Sequence, residues 1–377
     1  GYILRQVLLT VSSPTMDDLE LFAFPGMGKT TLLRYLAHPQ GAFRQHADWL
    51  QAPFDRQPER ILPVLVEFRQ MPGGMRALDY LYLRFLEACR GPAVNAAARL
   101  KPLLEQLGRP EQVGAGQPET RLLPLDRDLA LLRESGIRVV FLLDDFDLIF
   151  GSLTATETSN LRPLRRSAAF ILCTERSLQA VNPEAAGSPF FQTITKVRMS
   201  GLSFPEAQDL LADPARRAGV TFPDADIDAV LRLTGQHLYL VLLAGRVLWD
   251  LRAALGLLEQ PETALASAQL TLLQARLTAE FQPSFLIYMQ RLEAVEKAAL
   301  LRLARGEAAS PADIALYGSL EFKGLITLDG AHYRLFSPLF AQLLLQAPAS
   351  EEARPAQPAA LRTRLTKTEQ TLNAYLH

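Results

Sequence analysis

The residues from Phe24 to Thr31 read FPGMGKTT and have the composition of a phosphate-binding loop. Glycine at positions 26 and 28 lets backbone N–H groups turn inward where a Cβ would obstruct a phosphate. Lys29 is long enough to reach β- and γ-phosphates, and Thr30 carries a hydroxyl suited to Mg²⁺. Ala23 replaces the usual first glycine, which is the mildest substitution there. The residues that we predict to bind the phosphates of ATP or ADP are Pro25, Gly26, Met27, Gly28, Lys29, Thr30 and Thr31.

Two adjacent carboxylates, Asp144 and Asp145, end the apolar run from residue 139 to residue 143. In P-loop enzymes an Asp at the end of a strand holds the Mg²⁺ shell, and a neighbouring acid can polarise the attacking water. We assign Thr30 and Asp144 to the metal, and Asp145 together with Lys29 to catalysis. Asp147, two residues further on, is expected to orient this acidic pair. A solvated acidic turn is the alternative, and the phosphate loop upstream argues against it.

A third polar segment, Thr174-Glu175-Arg176, follows the next apolar run. Either Thr174 or Arg176 is in a position to sense the nucleotide, and an arginine near the γ-phosphate would stabilise the transition state. We assign Arg176 to catalysis, with a surface salt bridge as its alternative role. Glu67 ends another apolar run and is a weaker candidate for the same region, where ligands gather.

Continuous apolar runs at residues 19–24, 61–68, 138–143 and 168–173 alternate with helical patterns, and 193–199 is a fifth candidate strand. This alternation predicts an α/β fold with a parallel sheet covered on both faces. From residue 201 onward helical patterns dominate, and Ser203-Phe-Pro-Glu206 has the form of a capping box.

Composition excludes several classes of protein. The chain has 377 residues and a formal charge of -1. Its five histidines and two cysteines are too few for a zinc or disulfide framework. No apolar run approaches the roughly 20 residues that span a bilayer, and no signal peptide is visible. We therefore expect a cytoplasmic protein without a membrane partner. Because residue 1 is Gly and the final helical pattern is interrupted, we expect flanking segments.

The motifs GMGKTT (26–31), VFLLDDFD (140–147) and ILCTER (171–176) resemble those of the STAND class of AAA+-related ATPases, which includes NACHT and NB-ARC proteins. The likeness extends over about residues 19–346. It implies a nucleotide-binding domain at 1–200, a helical lid at 201–290 and a winged-helix domain at 291–346. It also implies an ATP/ADP and Mg²⁺ switch that self-associates in the ATP state.

Two positions depart from the family pattern. The segment LTGQHLYL (233–240) is similar to a lid motif in which a proline packs on adenine, and Leu238 stands in that place. The resemblance implies that His237 approaches the nucleotide, although a histidine at a helix terminus is the alternative. Phe336-Ser337-Pro338 stands where relatives carry an ADP-binding histidine.

Two segments outside the three domains differ in composition. Residues 106–124 and 347–360 are rich in Pro, Gly and polar residues; the first is predicted as a loop and the second as a linker. Residues 361–377 resemble the start of a DNA-binding winged-helix domain, which makes DNA a candidate partner; a linker helix is the alternative.

These features favour a slowly hydrolysing nucleotide switch in signal transduction, with transcriptional control as its output and an unknown signal or partner protein as its input. An AAA+ DNA-loading or remodelling ATPase is the principal alternative; it requires a trans-acting arginine, for which Arg165 and Arg166 are candidates. An antiviral defence scaffold is a further possibility. A small-molecule kinase is disfavoured, because the helical extension would then have no purpose.

Overall fold

The computed structural model describes residues 2–15, 17–54, 56–91, 107, 122–199, 201–307, 313–330 and 332–346. Most of the predicted loop at 106–124, the whole predicted linker at 347–360 and the predicted DNA-binding tail at 361–377 lie outside these residues.

Five parallel strands form the central sheet, in the order β2–β3–β4–β1–β5. They are β1 (Leu19–Phe22), β2 (Ile61–Glu67), β3 (Arg138–Asp144), β4 (Ala168–Thr174) and β5 (Thr195–Arg198). The predicted α/β fold with a parallel sheet is therefore confirmed, and all five candidate runs contain a strand.

Helices of nine or more residues account for most of the remaining described chain. They are α1 (Tyr2–Ser12), α2 (Lys29–Ala37), α3 (Ala77–Arg90), α4 (Leu122–Glu134), α5 (Ala155–Leu164), α6 (Phe204–Arg217), α7 (Asp224–Thr234), α8 (Leu238–Ala254), α9 (Ser267–Gln290), α10 (Ala294–Ala304), α11 (Ile314–Phe322) and α12 (Pro338–Gln346). One-turn helices lie at Ala42–Gln45, Asp147–Phe150, Leu178–Val181, Pro183–Ala186 and Pro189–Gln192, and 3₁₀ turns at Ala47–Trp49, Pro58–Arg60 and Phe68–Gln70.

Strands β3 and β4 have an almost unbroken apolar sequence, which is typical of strands that are covered on both faces. Every residue of β3 and β4 is buried. Because successive side chains point to opposite faces, Phe141 and Leu143 join one apolar core with α3 and α4, while Val140 and Leu142 join the other with α1 and α2.

The chain divides into two compact units by its internal contacts. The first comprises residues 1–24 and 29–199, and the second comprises residues 25–28 and the chain from residue 200 onward. The predicted boundaries at residues 201, 291 and 347 are finer than this division and stay predictions.

Helix α6 is the first helix of the second unit, and its start agrees with the sequence prediction. Ser203 Oγ accepts a hydrogen bond from the Glu206 N–H, and the Glu206 carboxylate accepts one from the Ser203 N–H, so the predicted capping box is confirmed. After α11 an antiparallel hairpin pairs β6 (Ile326–Asp329) with β7 (His332–Leu335). The identification of residues 291–346 as a winged-helix domain stays a prediction.

None of the helices in the described part of the chain is both long and apolar enough to cross a membrane. Cys89 and Cys173 are both buried as free thiols.

Candidate functional site

The predicted catalytic residues of the first unit gather where the parallel strands end. Asp144 ends β3, Thr174 ends β4 and Lys29 begins the helix that follows β1. Since the carboxyl ends of parallel strands share one edge of a sheet, this is where an open α/β sheet binds its ligands.

Thr30 and Asp144, which were predicted to share a metal ion, are in direct contact. Thr30 Oγ1 donates a hydrogen bond to Asp144 Oδ2 at 2.6 Å, although 114 residues separate them in the chain. Burial raises the pKa of Asp144, while the Thr30 hydrogen bond and the charge of Lys29 oppose that rise. A hydroxyl and a carboxylate at this spacing are oxygen donors of the kind that Mg²⁺ prefers.

These two donors fit Mg²⁺ better than a metal held by the protein alone. Among the described residues no group of three or more His, Cys, Asp or Glu side chains is arranged to hold a metal ion. Mg²⁺ characteristically uses one or two protein ligands and takes the others from water and substrate phosphates. Thr30 and Asp144 therefore match the number and kind of protein ligands that Mg²⁺ uses.

Lys29 is buried and directed to the backbone that precedes it. Its Nζ donates to the carbonyl oxygen of Ala23 at 2.6 Å and to that of Phe24 at 3.4 Å. Both acceptors are neutral, so the ammonium has no carboxylate partner among these contacts. A lysine held this way can exchange two carbonyl contacts for the stronger, charge-assisted contact with a phosphate.

Asp145 adopts a backbone conformation that non-glycine residues rarely occupy. Its φ is +53°, and such strain clusters at functional positions. Its own N–H donates to Asp144 Oδ1 at 3.1 Å, which fixes the two acids relative to each other. Burial, followed by repulsion from Asp144, raises the pKa of Asp145 to about 7, so this carboxyl gains and loses its proton near neutral pH.

The guanidinium that meets Asp145 belongs to Arg69, a residue that the sequence analysis did not single out. Arg69 Nε lies 2.6 Å from Asp145 Oδ2, and Arg69 Nη2 donates to Asp145 Oδ1 at 3.0 Å and to Glu175 Oε1 at 3.3 Å. Burial works against the charge of Arg69, but Asp145 and Glu175 outweigh it and raise the pKa of this arginine. Arg69 thus bridges the ends of β2, β3 and β4.

Arg176 lies two residues beyond the end of β4. Its side chain is exposed, and within the described residues the arginine in contact with Asp145 is Arg69. The catalytic role of Arg176 stays a prediction. A signal for Arg69 was present in the sequence, since it lies two residues beyond Glu67 at the end of an apolar run.

The other polar candidates on this edge are engaged within the first unit. Thr174 is fully buried, and its hydroxyl donates to Glu20 Oε1 at 3.3 Å on the neighbouring strand. Glu67 accepts hydrogen bonds from Arg34 Nη2 at 2.6 Å and from Gln70 Nε2 at 2.7 Å. Thr174 and Glu67 therefore stabilise the sheet edge in this structure.

Among the described residues no hydrogen bond joins the Asp147 side chain to Asp144 or Asp145, and its role in orienting them stays a prediction. Asp147 is buried and accepts a backbone hydrogen bond from Glu175, and its Oδ1 has no hydrogen-bond partner among the described residues. Burial raises the pKa of Asp147, and the charge of Glu175 adds to this effect.

The remaining loop residues, 25–28, belong to the second unit. Gly26 and Gly28 have φ values of +79° and +83°, the left-handed conformation that favours glycine. A Cβ on Gly26 would lie 2.6 Å from Tyr288 Oη, and one on Gly28 would lie 2.6 Å from Leu238 Cδ2. The positive φ values favour glycine at both positions, and a Cβ at either one would also force a neighbouring side chain to shift.

His237, predicted to approach the nucleotide, lies beside this loop in the second unit. Its Cε1 is 3.5 Å from the position of a Cβ on Gly26, and its ring packs 5.0 Å from that of Phe336 and 5.9 Å from that of Tyr288. Burial lowers the pKa of His237 to about 4, so the ring is neutral, and its Nδ1 has no partner among the described residues.

Comparison with known proteins identifies relatives by fold alone. No protein-family model and no curated protein matches the sequence. A Walker-type ATPase of Pyrococcus abyssi is similar in structure, with a TM-score of 0.52 and 15% identity over 87% of this chain and 91% of that chain. The ORC2 protein of Aeropyrum pernix, in its ADP form, is similar with a TM-score of 0.52 and 14% identity over 91% of each chain. The chain therefore shares its fold with a Walker-type ATPase and with an ORC2 protein.

Proposed function

We propose that this protein binds ATP together with Mg²⁺ and hydrolyses it. The observation that carries the proposal is the 2.6 Å contact between Thr30 Oγ1 and Asp144 Oδ2, at the start of the helix that follows a glycine-rich loop. A hydroxyl from the loop and a carboxylate from a strand end are the two protein oxygens that P-loop ATPases present to Mg²⁺.

Each residue at the sheet edge has a distinct role in this proposal. Lys29 leaves its carbonyl acceptors and binds the β- and γ-phosphates, and the loop N–H groups bind the phosphate oxygens. Asp145 accepts a proton from the attacking water and is competent only when ionised. Mg²⁺, when bound to Thr30 and Asp144, neutralises charge on the phosphates.

Arg69 controls the availability of Asp145. While both oxygens of Asp145 accept hydrogen bonds or ion-pair contacts from Arg69, they are less available to a water molecule. The same contact lowers the pKa of Asp145 against the effects of burial and Asp144, which keeps a larger fraction ionised at neutral pH. Arg69 thus favours the reactive charge state of Asp145 and limits its access to water.

Two more specific functions are compatible with ATP hydrolysis: an AAA+ ATPase that acts on DNA and a nucleotide switch that controls transcription. Of these we favour the ATPase that acts on DNA. The shared fold with an ORC-type protein along 91% of both chains supports this order. The STAND resemblance, self-association in the ATP state and a partner protein are retained as proposals. Arg165, one candidate for a trans-acting arginine, forms an ion pair with Asp18, which leaves Arg166 as the better candidate.

The charge pattern of the C-terminal hairpin bears on where DNA would bind. Helix α11 contains no Lys or Arg, and the cations that follow it are paired: Lys323 with Glu296 at 2.5 Å and Arg334 with Asp329 at 3.1 Å. Because binding to DNA rests on unneutralised cations that contact phosphates, we do not expect α11 and the hairpin to supply the DNA contact.

The test measures phosphate release by the purified protein and by Asp144→Asn and Thr30→Ala variants. We expect Asp144→Asn to lower kcat at least a hundredfold and Thr30→Ala to raise the Mg²⁺ requirement. Asp48→Asn is the control, because Asp48 is exposed and pairs with Arg56 away from the sheet edge. Wild-type-like turnover by Asp144→Asn would contradict the proposal.

Adding double-stranded DNA separates the two finer alternatives. Turnover that rises severalfold with DNA favours the DNA-associated ATPase. Slow turnover at a rate that DNA does not change, with ADP retained through purification, favours the nucleotide switch instead.

A further inference from the structure

Tyr288, near the end of α9, makes a contact with the phosphate loop that sequence patterns do not predict. Its hydroxyl donates a hydrogen bond to the carbonyl oxygen of Pro25 at 2.9 Å, and the residue is buried, with a relative exposure of 2%. Pro25 and Tyr288 belong to the same compact unit although 263 residues separate them. The same hydroxyl occupies the space beside Gly26, 2.6 Å from where a Cβ would be.

The direction of one peptide group follows from this contact. The peptide between Pro25 and Gly26 is trans, because the one cis bond identified in the described chain is Ala52–Pro53. In a planar trans peptide the C=O and the N–H point in opposite directions. A hydroxyl that holds the Pro25 carbonyl toward Tyr288 therefore directs the Gly26 N–H away from Tyr288.

The Gly26 N–H is free to receive a ligand. No acceptor in the described residues pairs with this N–H, whereas most backbone N–H groups in folded proteins have a partner. Gly26 adopts a φ of +79°, which is part of the loop geometry that turns successive N–H groups toward an anion. A peptide held by one hydrogen bond on its carbonyl side presents a donor of fixed direction on the other.

We propose that Tyr288 is a positioning residue for phosphate binding, which fixes the Pro25–Gly26 peptide so that the Gly26 N–H faces a nucleotide phosphate. This inference rests on the proposed binding of ATP or ADP and adds a residue to it. Without the hydroxyl the peptide is free to rotate, and part of the phosphate-binding energy is spent on ordering it.

The surrounding aromatic residues keep the Tyr288 ring in place independently of its hydroxyl. The ring packs edge-on against Phe281 at 5.9 Å and lies 5.9 Å from the His237 ring. Tyr288→Phe therefore removes one oxygen atom while the ring keeps its packing. A matched control is Tyr239→Phe: the Tyr239 hydroxyl accepts a hydrogen bond from Ser284 at 2.9 Å, and its Cβ, not its hydroxyl, approaches Gly26.

The experiment measures the affinity of the wild type and both variants for MgADP and for magnesium pyrophosphate, the latter by competition with a fluorescent ADP analogue. A hydrogen bond contributes about 1 kcal/mol, which corresponds to about a fivefold change in Kd. We expect Tyr288→Phe to raise the Kd of both ligands about fivefold. Tyr239→Phe should leave both Kd values within about twofold, because the bond it loses does not touch the loop.

Pyrophosphate has no base or ribose, so its loss of affinity reports on the phosphate contact alone. Equal weakening by Tyr288→Phe and Tyr239→Phe would assign Tyr288 a merely structural role and overturn the inference. Weakened MgADP binding with unchanged pyrophosphate binding would overturn it as well. If the wild type binds MgADP and Tyr288→Phe binds it equally well, the inference fails and the proposed function stands; if the wild type binds neither ligand, both fail.

Discussion

Replacing Arg69 with methionine removes the guanidinium that contacts both oxygens of Asp145 while it keeps an unbranched side chain of similar length. The pKa of Asp145 is raised to about 7 by burial and by Asp144, and Arg69 is the largest influence that lowers it. Without Arg69 we expect the pKa of Asp145 to rise further, because desolvation and repulsion then act with less opposition. A general base with a higher pKa is ionised in a smaller fraction of molecules at neutral pH.

The size of this effect follows from the exposure of the pair. Hydrogen bonds to charged groups contribute about 1.5–3 kcal/mol, and pairs in contact with solvent contribute less. Because the Arg69 side chain is 51% exposed, we use about 1 kcal/mol, which is a little under one pH unit. The acidic midpoint of kcat/KM should therefore move upward from about 7 by about 0.7 pH unit, and kcat/KM at pH 7 should fall about threefold.

The assay is the pH dependence of kcat/KM for ATP hydrolysis between pH 5.5 and pH 9.5, because this parameter reports groups of the free enzyme. At pH 9 Asp145 is ionised in both proteins, so this deficit should disappear. Arg56→Met is the control, since Arg56 is exposed and pairs with Asp48. A midpoint that stays at its wild-type value in Arg69→Met, or one that moves instead in Arg176→Met, would refute the reasoning and favour the arginine predicted from sequence.

Three further predictions concern the second unit. The pKa of His237 is lowered to about 4, so the folded state excludes a proton that the unfolded chain binds below about pH 6.5. The free energy of unfolding, measured by chemical denaturation, should therefore fall by up to about 3 kcal/mol between pH 6.5 and pH 4, and His237→Phe should remove this pH-dependent component. Gly235→Ala should lower the free energy of unfolding by at least about 2 kcal/mol more than Gly219→Ala. Both glycines have a positive φ, but of the two only Gly235 lies where an added Cβ would meet a backbone carbonyl oxygen, that of Phe336 at 1.5 Å, and equal melting temperatures of the two variants would contradict this reasoning. Arg252→Met should cost about 3–5 kcal/mol in the same measurement, because it leaves the buried carboxylate of Asp226 without its partner at 2.6 Å, and a loss under about 1 kcal/mol would argue against a stabilising pair.

Residue type and local spacing were sufficient to predict the parallel sheet and the proximity of Thr30 and Asp144. The runs that became β3 and β4 are almost continuously apolar because both of their faces are buried, and burial of this kind is visible in composition. The contact between Thr30 and Asp144 was predictable because carboxyl ends of parallel strands meet at one edge in every such sheet. No knowledge of strand order was needed for either prediction.

The partners of the other candidates depend on which strands are neighbours and on which face each side chain occupies. Thr174 ends β4 as predicted, but β1 lies beside β4, and the Thr174 hydroxyl therefore meets Glu20. Arg176 and Arg69 both follow strand ends, and only the structure distinguishes the exposed guanidinium from the one that reaches Asp145.

By itself, the sequence determined the glycine-rich loop, the lysine and threonine that follow it, the paired carboxylates and the class of sheet that carries them. These properties depend on φ values, side-chain chemistry and hydrophobic burial, all of which are encoded within a few neighbouring residues. The tertiary structure alone decided that Arg69 contacts Asp145, that His237 is buried and neutral, and that Tyr288 holds the Pro25 carbonyl. Each of these contacts joins residues far apart in the chain, and their distance and orientation are set by packing, which no local pattern specifies.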